Sequence, residues 1–278
     1  MSVDFSVVRG VLFDVDGTLW RGNTPSPGLA DCFAWLRARA VGVGVITNNS
    51  LKPPAHYQQK LAAFGVTVDE REILTSAQAT AQHLAHTLAP GARVYVIGEA
   101  GLLTAVQAAG LAVTTDAAAP VAAVVVGGDR CLTYAKLKAA VLLLQRGARL
   151  VGTNPDLLIP TAAGLAPETG VTLAALTAAT GVAPTIIGKP ARWLFEAALA
   201  RLGLDPAQAL MVGDRLDTDI LGAQRLGMQT VLVTSGVDDA ASVAAKGIHP
   251  DLTVAHLGEL AAWWMQHSGR AAWESIPG

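Results

Sequence analysis

Short apolar runs rich in β-branched residues alternate along this chain with segments of helical period, and this alternation constrains the fold most. The runs Val8–Asp14, Val41–Ile46 and Leu210–Val212 are typical of buried strands. Between the first two runs, the apolar residues of Leu29–Leu36 fall on one face of a helix. Strands that alternate with amphipathic helices predict an α/β fold built on a parallel sheet.

The composition excludes several classes of protein. The chain has 278 residues, of which 51% are hydrophobic and 15% are charged, so we expect a folded protein rather than a disordered one. The formal net charge is −2 and there is no long basic run, which argues against a nucleic-acid partner. No secretory signal is visible, and the apolar runs are too short to span a membrane. With two distant cysteines, Cys32 and Cys131, we expect a cytoplasmic protein with reduced thiols and no membrane partner.

The alternating pattern restarts in the middle of the chain. A new series of strands and helices begins near Thr75, and a linker-like stretch, Gly181–Pro184, precedes the return of the first pattern. We therefore predict a core domain of residues 1–76 and 185–278, interrupted by an inserted α/β domain of residues 77–184.

Polar residues follow several of the predicted strands at their carboxyl ends. Asp14 and Asp16 follow the first strand, Thr47 and Asn48 the second, and Asp214 a later one, while Lys189 precedes a helix; ligands of open parallel sheets bind beyond this edge. Carboxylates suit Mg²⁺, and a hydroxyl, an amide and an ammonium suit phosphoryl oxygens. An aspartate can also act as a nucleophile toward phosphorus. The set therefore predicts phosphoryl chemistry beside a metal.

Four ordered motifs carry a family resemblance. They read Asp-Val-Asp-Gly-Thr, Thr-Asn-Asn-Ser, Gly-Lys-Pro and Gly-Asp-Arg-Leu-Asp-Thr-Asp-Ile, and they begin at Asp14, Thr47, Gly188 and Gly213. They resemble the motifs of haloacid dehalogenase-like phosphatases, and more narrowly of the NagD-like branch, which includes p-nitrophenyl, phosphoglycolate and nucleotide phosphatases. The resemblance implies a doubly wound, Rossmann-like core with an inserted α/β cap between the second and third motifs.

The same resemblance implies roles for individual acidic residues. Asp14 would be the nucleophile, and Asp16 would protonate the leaving group and then activate the hydrolytic water. The Asp14 side chain, the Asp16 main-chain carbonyl and the Asp214 carboxylate would hold Mg²⁺. Asp219 would orient metal-bound waters or a neighbouring lysine.

Phosphate contacts and the leaving-group side of the site follow from the resemblance as well. The Thr47–Asn49 segment and Lys189 would bind the phosphate. Asn154 and Asp156 belong to a loop that either shapes a turn of the cap or reaches the substrate, and both interpretations stay open. Relatives often have Pro-Gly-x-Gly where this chain has Pro167–Gly170, so no substrate is carried over.

The resulting hypothesis is a Mg²⁺-dependent phosphatase for small phosphomonoesters. Two alternatives are weighed against it. One is phosphoryl transfer to another hydroxyl within the same superfamily, and the other is a signalling module that stores a phosphoaspartate. A module of the second kind is much shorter and needs no cap, and Asp16 would shorten the life of its phosphoaspartate. The branch also implies a homodimer formed through the cap.

Overall fold

The computed structural model describes residues 3–161 and 164–267. The fold is α/β, as the alternating pattern predicts. The strands are β1 (Gly10–Phe13), β2 (Trp20–Arg21), β3 (Thr24–Pro25), β4 (Gly42–Thr47), β5 (Ile73–Thr75), β6 (Arg93–Ile97), β7 (Ala112–Thr114), β8 (Ala123–Val126), β9 (Arg149–Gly152), β10 (Leu158–Thr161), β11 (Gly164–Pro167), β12 (Thr185–Ile186), β13 (Ala209–Gly213), β14 (Gln229–Val233) and β15 (Leu252–Val254).

Helices connect most of these strands. They are α1 (Leu29–Ala38), α2 (Pro54–Ala63), α3 (Ser76–Thr87), α4 (Ala100–Ala108), α5 (Tyr134–Gln145), α6 (Thr169–Thr180), α7 (Arg192–Leu202), α8 (Leu221–Gln224), α9 (Ala240–Lys246) and α10 (Leu257–His267). A π-helix, Leu216–Ile220, directly precedes α8. Across the described ranges, no helix combines the length and apolar character needed to cross a membrane.

The chain divides into two compact units. The first unit comprises the residues up to Ile46, Gln58–Ile73 and the chain from Ala198 onward. The second unit comprises Thr47–Tyr57 and Leu74–Ala197. The predicted domain boundaries at residues 76/77 and 184/185 stay a prediction.

The sheet of the first unit is doubly wound. Its strand order is β15–β14–β13–β1–β4–β5, and β1 pairs in parallel with both β13 and β4. The chain therefore leaves β1 in one direction toward β4 and β5, and in the other toward β13, β14 and β15. The reversal at β1 makes its carboxyl end the topological switch point, where ligands of such sheets bind.

Apolar side chains explain why the first unit forms these elements. All four residues of β1 are buried, as expected for a central parallel strand. Helix α1 buries its predicted apolar face, and its Phe33 ring lies 5.0 Å from that of Phe13 in β1. Trp264 of α10 packs on Trp35 of α1, with 5.1 Å between ring centroids.

The second unit has a parallel sheet of its own. Its strand order is β12–β9–β8–β6–β7, and apolar residues of β6, β8 and β9 form one core with those of α5 and α6. Thr133 caps α5, because its hydroxyl accepts from the Lys136 N–H at 3.3 Å. The structure also contains an antiparallel hairpin, β10–β11, where the sequence indicated only a loop.

Candidate active site

Three carboxylates of the first unit lie close together. Asp14 directly follows β1, Asp214 directly follows the neighbouring strand β13, and Asp219 lies in the π-helix. One carboxylate oxygen from each lies within 4.8 Å of the others. Asp14 is 8% exposed, and Asp214 and Asp219 are fully buried. We call these three residues the carboxylate cluster.

Main-chain groups hold the carboxylate cluster in position. The Asp14 N–H donates to the Val212 carbonyl of β13 at 2.9 Å, which ties the two strand ends together. The Asp214 carboxylate accepts from the Val237 N–H at 2.8 Å, and that of Asp219 from the Arg215 N–H at 3.1 Å. These side chains are therefore oriented by the backbone around them.

Two glycines make room for the cluster. A Cβ atom at Gly17 or at Gly236 would overlap the Asp214 carboxylate. Gly17 also has a φ angle of 97°, which L-residues with side chains rarely adopt. Buried carboxylates at this spacing repel one another unless a cation lies among them, and divalent cations such as Mg²⁺ and Ca²⁺ prefer oxygen ligands. The donor set therefore fits a divalent metal ion.

Asp16 has a different environment from the carboxylate cluster. Its side chain is exposed and accepts a hydrogen bond from the Trp20 indole Nε1 at 3.0 Å. The Trp20 ring is 2% exposed, lies 5.9 Å from the Phe64 ring, and has the Lys60 ammonium 4.4 Å from its centroid. The structure therefore fixes Asp16 through a well-packed aromatic donor. Sequence reasoning missed this contact, because Trp20 lies outside the Asp-Val-Asp-Gly-Thr motif.

The second unit contains the predicted phosphate-binding residues. Thr47 ends β4, is 3% exposed, and accepts at its hydroxyl from the Asn49 N–H at 3.1 Å. The Asn49 side chain accepts from the Leu51 N–H at 2.8 Å, so it shapes the turn after the strand. Lys189 is 2% exposed.

Asn48 connects two of these predicted segments. Its Oδ1 accepts from the Lys189 N–H at 2.8 Å, and its Nδ2 donates to the Lys189 carbonyl at 2.9 Å. The same Nδ2 donates to an Asp156 carboxylate oxygen at 3.0 Å. The side chain that the sequence linked to phosphate is thus bonded to protein groups.

Asn154 and Asp156 lie beside Asn48 in the same unit. Asn154, which is 1% exposed, donates from Nδ2 to the Asn48 carbonyl at 2.8 Å. Its Oδ1 accepts from the Asp156 N–H at 3.0 Å. Both residues therefore take part in one hydrogen-bonded network with the Thr-Asn-Asn-Ser motif.

Two glutamates of the second unit have pKa values shifted in opposite directions. Burial raises the pKa of Glu168, although the Thr169 hydroxyl donates to its carboxylate at 3.0 Å. The side-chain hydrogen bonds from Arg130 lower the pKa of Glu99 to about 2. The sequence singled out neither glutamate as functional, and Glu168 stands where relatives often have glycine.

Asp238 is a further buried acid that the sequence analysis missed. It is 4% exposed, accepts from the Leu216 N–H at 2.7 Å, and pairs with Lys246 at 2.9 Å. Its N–H donates to the Asp214 carbonyl at 3.0 Å, so it supports the loop that carries Asp214. Asp238 lies outside the motifs and in irregular structure, and no pattern in the sequence marks it.

Comparison with known proteins gives a consistent result. Residues 11–112 match a family model described as haloacid dehalogenase-like hydrolase, and residues 186–260 match a second model of HAD-hydrolase-like proteins. An acid sugar phosphatase from Staphylococcus aureus is 37% identical over 254 residues, which cover 91% of this chain and 97% of that protein.

Solved structures are also similar over nearly the whole chain. A p-nitrophenyl phosphatase from Archaeoglobus fulgidus has 31% identity and a TM-score of 0.87, and the match covers 92% of this chain and 99% of that one. NagD from Escherichia coli has 29% identity and a TM-score of 0.83, with 91% and 98% covered.

Proposed function

Because the chain belongs to the haloacid dehalogenase-like hydrolases, in their NagD-like branch, we propose that it hydrolyses small phosphomonoesters with Mg²⁺ through an aspartyl-phosphate on Asp14. Membership makes the chain a phosphoric monoester hydrolase, and phosphatases of this family use a divalent metal. The observation that carries the finer proposal is the carboxylate cluster, which joins Asp14 to two further buried acids within 4.8 Å. The names of the relatives, a sugar phosphatase and a p-nitrophenyl phosphatase, support small esters as substrates.

Mg²⁺ would be held by the Asp14 and Asp214 carboxylates and the Asp16 main-chain carbonyl. Asp219, whose carboxylate lies in the cluster, would hold a metal-bound water or bind the ion itself. When bound, the ion neutralises charge that would otherwise repel the Asp14 carboxylate from a phosphate dianion.

Asp14 and Asp16 divide the chemistry between them in this proposal. An Asp14 oxygen forms a bond to phosphorus while the bond to the leaving-group oxygen breaks, and the Asp16 carboxyl gives that oxygen its proton. Asp16, now a carboxylate, takes a proton from water as the water oxygen attacks phosphorus. The bond from phosphorus to Asp14 then breaks, which releases inorganic phosphate and regenerates both side chains.

The predicted phosphate-binding residues would bind the phosphoryl oxygens. The Thr47 hydroxyl, main-chain N–H groups of Asn48 and Asn49, and the Lys189 ammonium supply the hydrogen bonds and charge that these oxygens need. This assignment is supported by the burial of Thr47 and Lys189, at 3% and 2% exposed, because a buried polar group retains its geometry.

The decisive experiment measures phosphate release from p-nitrophenyl phosphate and from sugar phosphates in the presence of Mg²⁺. Asp14→Asn should lower kcat roughly 10³-fold or more, because the nucleophile is lost. Wild-type enzyme quenched in acid during turnover should carry a phosphoryl group on a measurable fraction of chains by mass spectrometry, and Asp14→Asn should carry none. Asp31→Asn, an exposed residue in the first turn of α1, is the matched control and should retain wild-type turnover.

Three outcomes would contradict the proposal. Full turnover by Asp14→Asn would exclude the aspartyl-phosphate. A single burst of p-nitrophenol without further turnover would favour a phosphoaspartate-storing module. Release of more p-nitrophenol than phosphate in the presence of glycerol or glucose would favour a phosphotransferase.

A further inference from the structure

The structure points to a further role for Asn48, and we propose that its side chain is a clasp that positions Lys189, with Asp156 as its support. The clasp is defined as the Asn48 amide together with its bonds to the Lys189 main chain and the Asp156 carboxylate. The inference rests on the proposed function, in which Lys189 binds the phosphoryl group. Asn48 would then act through Lys189 and would contact phosphate only through its main-chain N–H.

The Asn48 amide makes three hydrogen bonds to protein groups. It accepts from the Lys189 N–H at 2.8 Å and donates to the Lys189 carbonyl at 2.9 Å, so it holds both main-chain groups of one residue. Its second N–H donates to Asp156 at 3.0 Å. An asparagine side chain has two donor hydrogens, and both are used by protein groups. The side-chain amide therefore has no donor left for a phosphoryl oxygen.

The segment that carries Gly188 and Lys189 lies very close to the Asn48 side chain. A Cβ atom at Gly188 would lie 2.5 Å from Asn48 Oδ1 and would also overlap the Thr153 carbonyl. The Gly188 N–H donates to that carbonyl at 2.8 Å. A glycine before Lys189 is thus required for the clasp to close, which gives the Gly-Lys-Pro motif a packing reason for its first residue.

Asn48 is itself held by two hydrogen bonds to its main-chain carbonyl. Its main-chain carbonyl accepts from Asn154 Nδ2 at 2.8 Å and from the Ser76 hydroxyl at 2.6 Å. Asn154 also fixes the Asp156 N–H at 3.0 Å, so the acceptor for the second Asn48 N–H is fixed as well. A side chain anchored in this way can transmit its position to Lys189.

The consequence for Lys189 follows from its burial. Its side chain is 2% exposed, so a shift of its main chain also displaces the ammonium within its packed surroundings. Without the Asn48 amide, the Lys189 N–H and carbonyl lose their partners, and the segment must shift to recover hydrogen bonds. A displacement on the order of 1 Å at a group that contacts the reacting phosphoryl costs about 10²-fold in rate.

A double-mutant comparison tests whether Asn48 acts through Lys189. Asn48→Ala should lower kcat/KM for p-nitrophenyl phosphate about 10²-fold in the wild-type background. In a Lys189→Met background the same change should cost less than about threefold, because residues that act as one unit are not additive. An equal loss in both backgrounds would overturn the proposal.

A swap of donor and acceptor tests the support by Asp156. Asn48→Asp places two carboxylates against each other, and we expect a loss of at least about 10²-fold in kcat/KM. Adding Asp156→Asn restores a donor between the two positions and should recover about tenfold. Asp129→Asn, which changes a buried carboxylate paired with Lys136 elsewhere in the unit, should recover nothing when added to Asn48→Asp. Failure of Asp156→Asn to recover more than Asp129→Asn would contradict the clasp.

Two further measurements separate positioning from general stability. Each single and double variant is assayed for its thermal midpoint and for inhibition by orthovanadate, a phosphoryl analogue. The clasp predicts a weaker vanadate affinity of the folded enzyme in Asn48→Ala, measured below its thermal midpoint. A lower midpoint with unchanged vanadate affinity would show a structural role only. Because Asp14→Asn tests the nucleophile independently, its outcome distinguishes failure of the proposed function from failure of the clasp.

Discussion

The carboxylate cluster of the first unit and the clasp of the second unit hold charged side chains in place by different means. In the cluster, main-chain N–H groups of Arg215 and Val237 orient two of the three acids, Asp219 and Asp214. In the clasp, a neutral amide bonds to both main-chain groups of Lys189 and to the Asp156 carboxylate. The donor set of the cluster therefore fits a divalent cation, whereas the clasp is made of protein groups alone.

The largest effect that would sharpen this comparison is expected from Asp219→Asn. Replacing one of three carboxylates weakens the affinity for the ion, and the free Mg²⁺ concentration for half-maximal activity should rise about 10- to 100-fold. The measurement is a Mg²⁺ titration of phosphate release in buffered EDTA.

The clasp supplies the contrast for that titration. Asn48→Ala should lower activity without changing the Mg²⁺ concentration for half-maximal activity, because its contacts involve no metal ligand. A Mg²⁺ requirement that moves equally in both variants would break the distinction between the two regions.

A smaller effect is expected from Trp20→Phe. This substitution tests whether a side-chain hydrogen bond to Asp16 contributes to activity, as the Asn48 bonds to Lys189 do in the clasp. The change removes the indole donor to Asp16 and keeps an aromatic ring beside Phe64 and Lys60. Loss of a hydrogen bond to a charged group should cost about tenfold in kcat. Because p-nitrophenol leaves without much help from an acid, hydrolysis of the aspartyl-phosphate should become rate-limiting and a stoichiometric burst should appear in stopped-flow traces.

Trp35→Phe is the matched control for this burst. Trp35 is also buried in the first unit, but its indole nitrogen has no hydrogen-bond partner within the described part of the chain. The same substitution there should leave the burst and kcat at wild-type values. A burst in both variants would mean that loosened packing, and not the bond to Asp16, limits the second step.

The smallest effect concerns Glu168 and stability rather than activity. Burial raises the pKa of Glu168 in the folded state. Its contribution to the free energy of unfolding is therefore favourable below the ordinary pKa of 4.5 and is lost as the pH rises through the raised pKa. Glu168→Gln keeps an oxygen acceptor for the Thr169 hydroxyl and removes the charge. The variant should be more stable than wild type at pH 7, by up to about 1 kcal/mol, and equally stable at pH 4. Thermal unfolding at the two pH values measures this.

Glu99→Gln should show the opposite sign. The pKa of Glu99 is lowered to about 2 by Arg130, so its stabilising contribution is present above 4.5 and is lost as the pH falls toward 2. The variant should therefore be less stable than wild type at pH 7. Identical pH responses of the two variants would show that neither glutamate titrates as its surroundings predict.

Much of the fold can be predicted from the sequence because local residue patterns indicate its strands and helices. The run before Asp14 is a central parallel strand, and apolar residues on one face of Leu29–Leu36 define α1. The β10–β11 hairpin was missed because its strands, which include Pro160 and Pro167, lack an alternating pattern. A predicted fraying tail, Gly269–Gly278, lies outside the described residues.

The site was less readable because its contacts join distant segments. The motifs mark Asn48 and Lys189 as polar residues of one site, but the bonds between the two depend on a fold that brings together segments 141 residues apart. Asp219 was expected beside the metal ligands, and its place in the carboxylate cluster depends on a π-helix that no sequence period predicts. The domain boundaries, the site roles, the homodimer and the cytoplasmic location remain predictions.

The position of β1 between β13 and β4 has a consequence for synthesis on the ribosome. The second unit draws most of its sheet, β6 to β12, from one continuous stretch, so that sheet can form while translation continues. Strand β1 can pair with β13 only after β13 has been synthesised, which follows the synthesis of that whole stretch. The loop closure that completes the first sheet is the step that brings Asp14 to Asp214. A nascent chain that has not yet released β13 therefore lacks the paired strand ends that place Asp14 beside Asp214, on which the proposed activity depends.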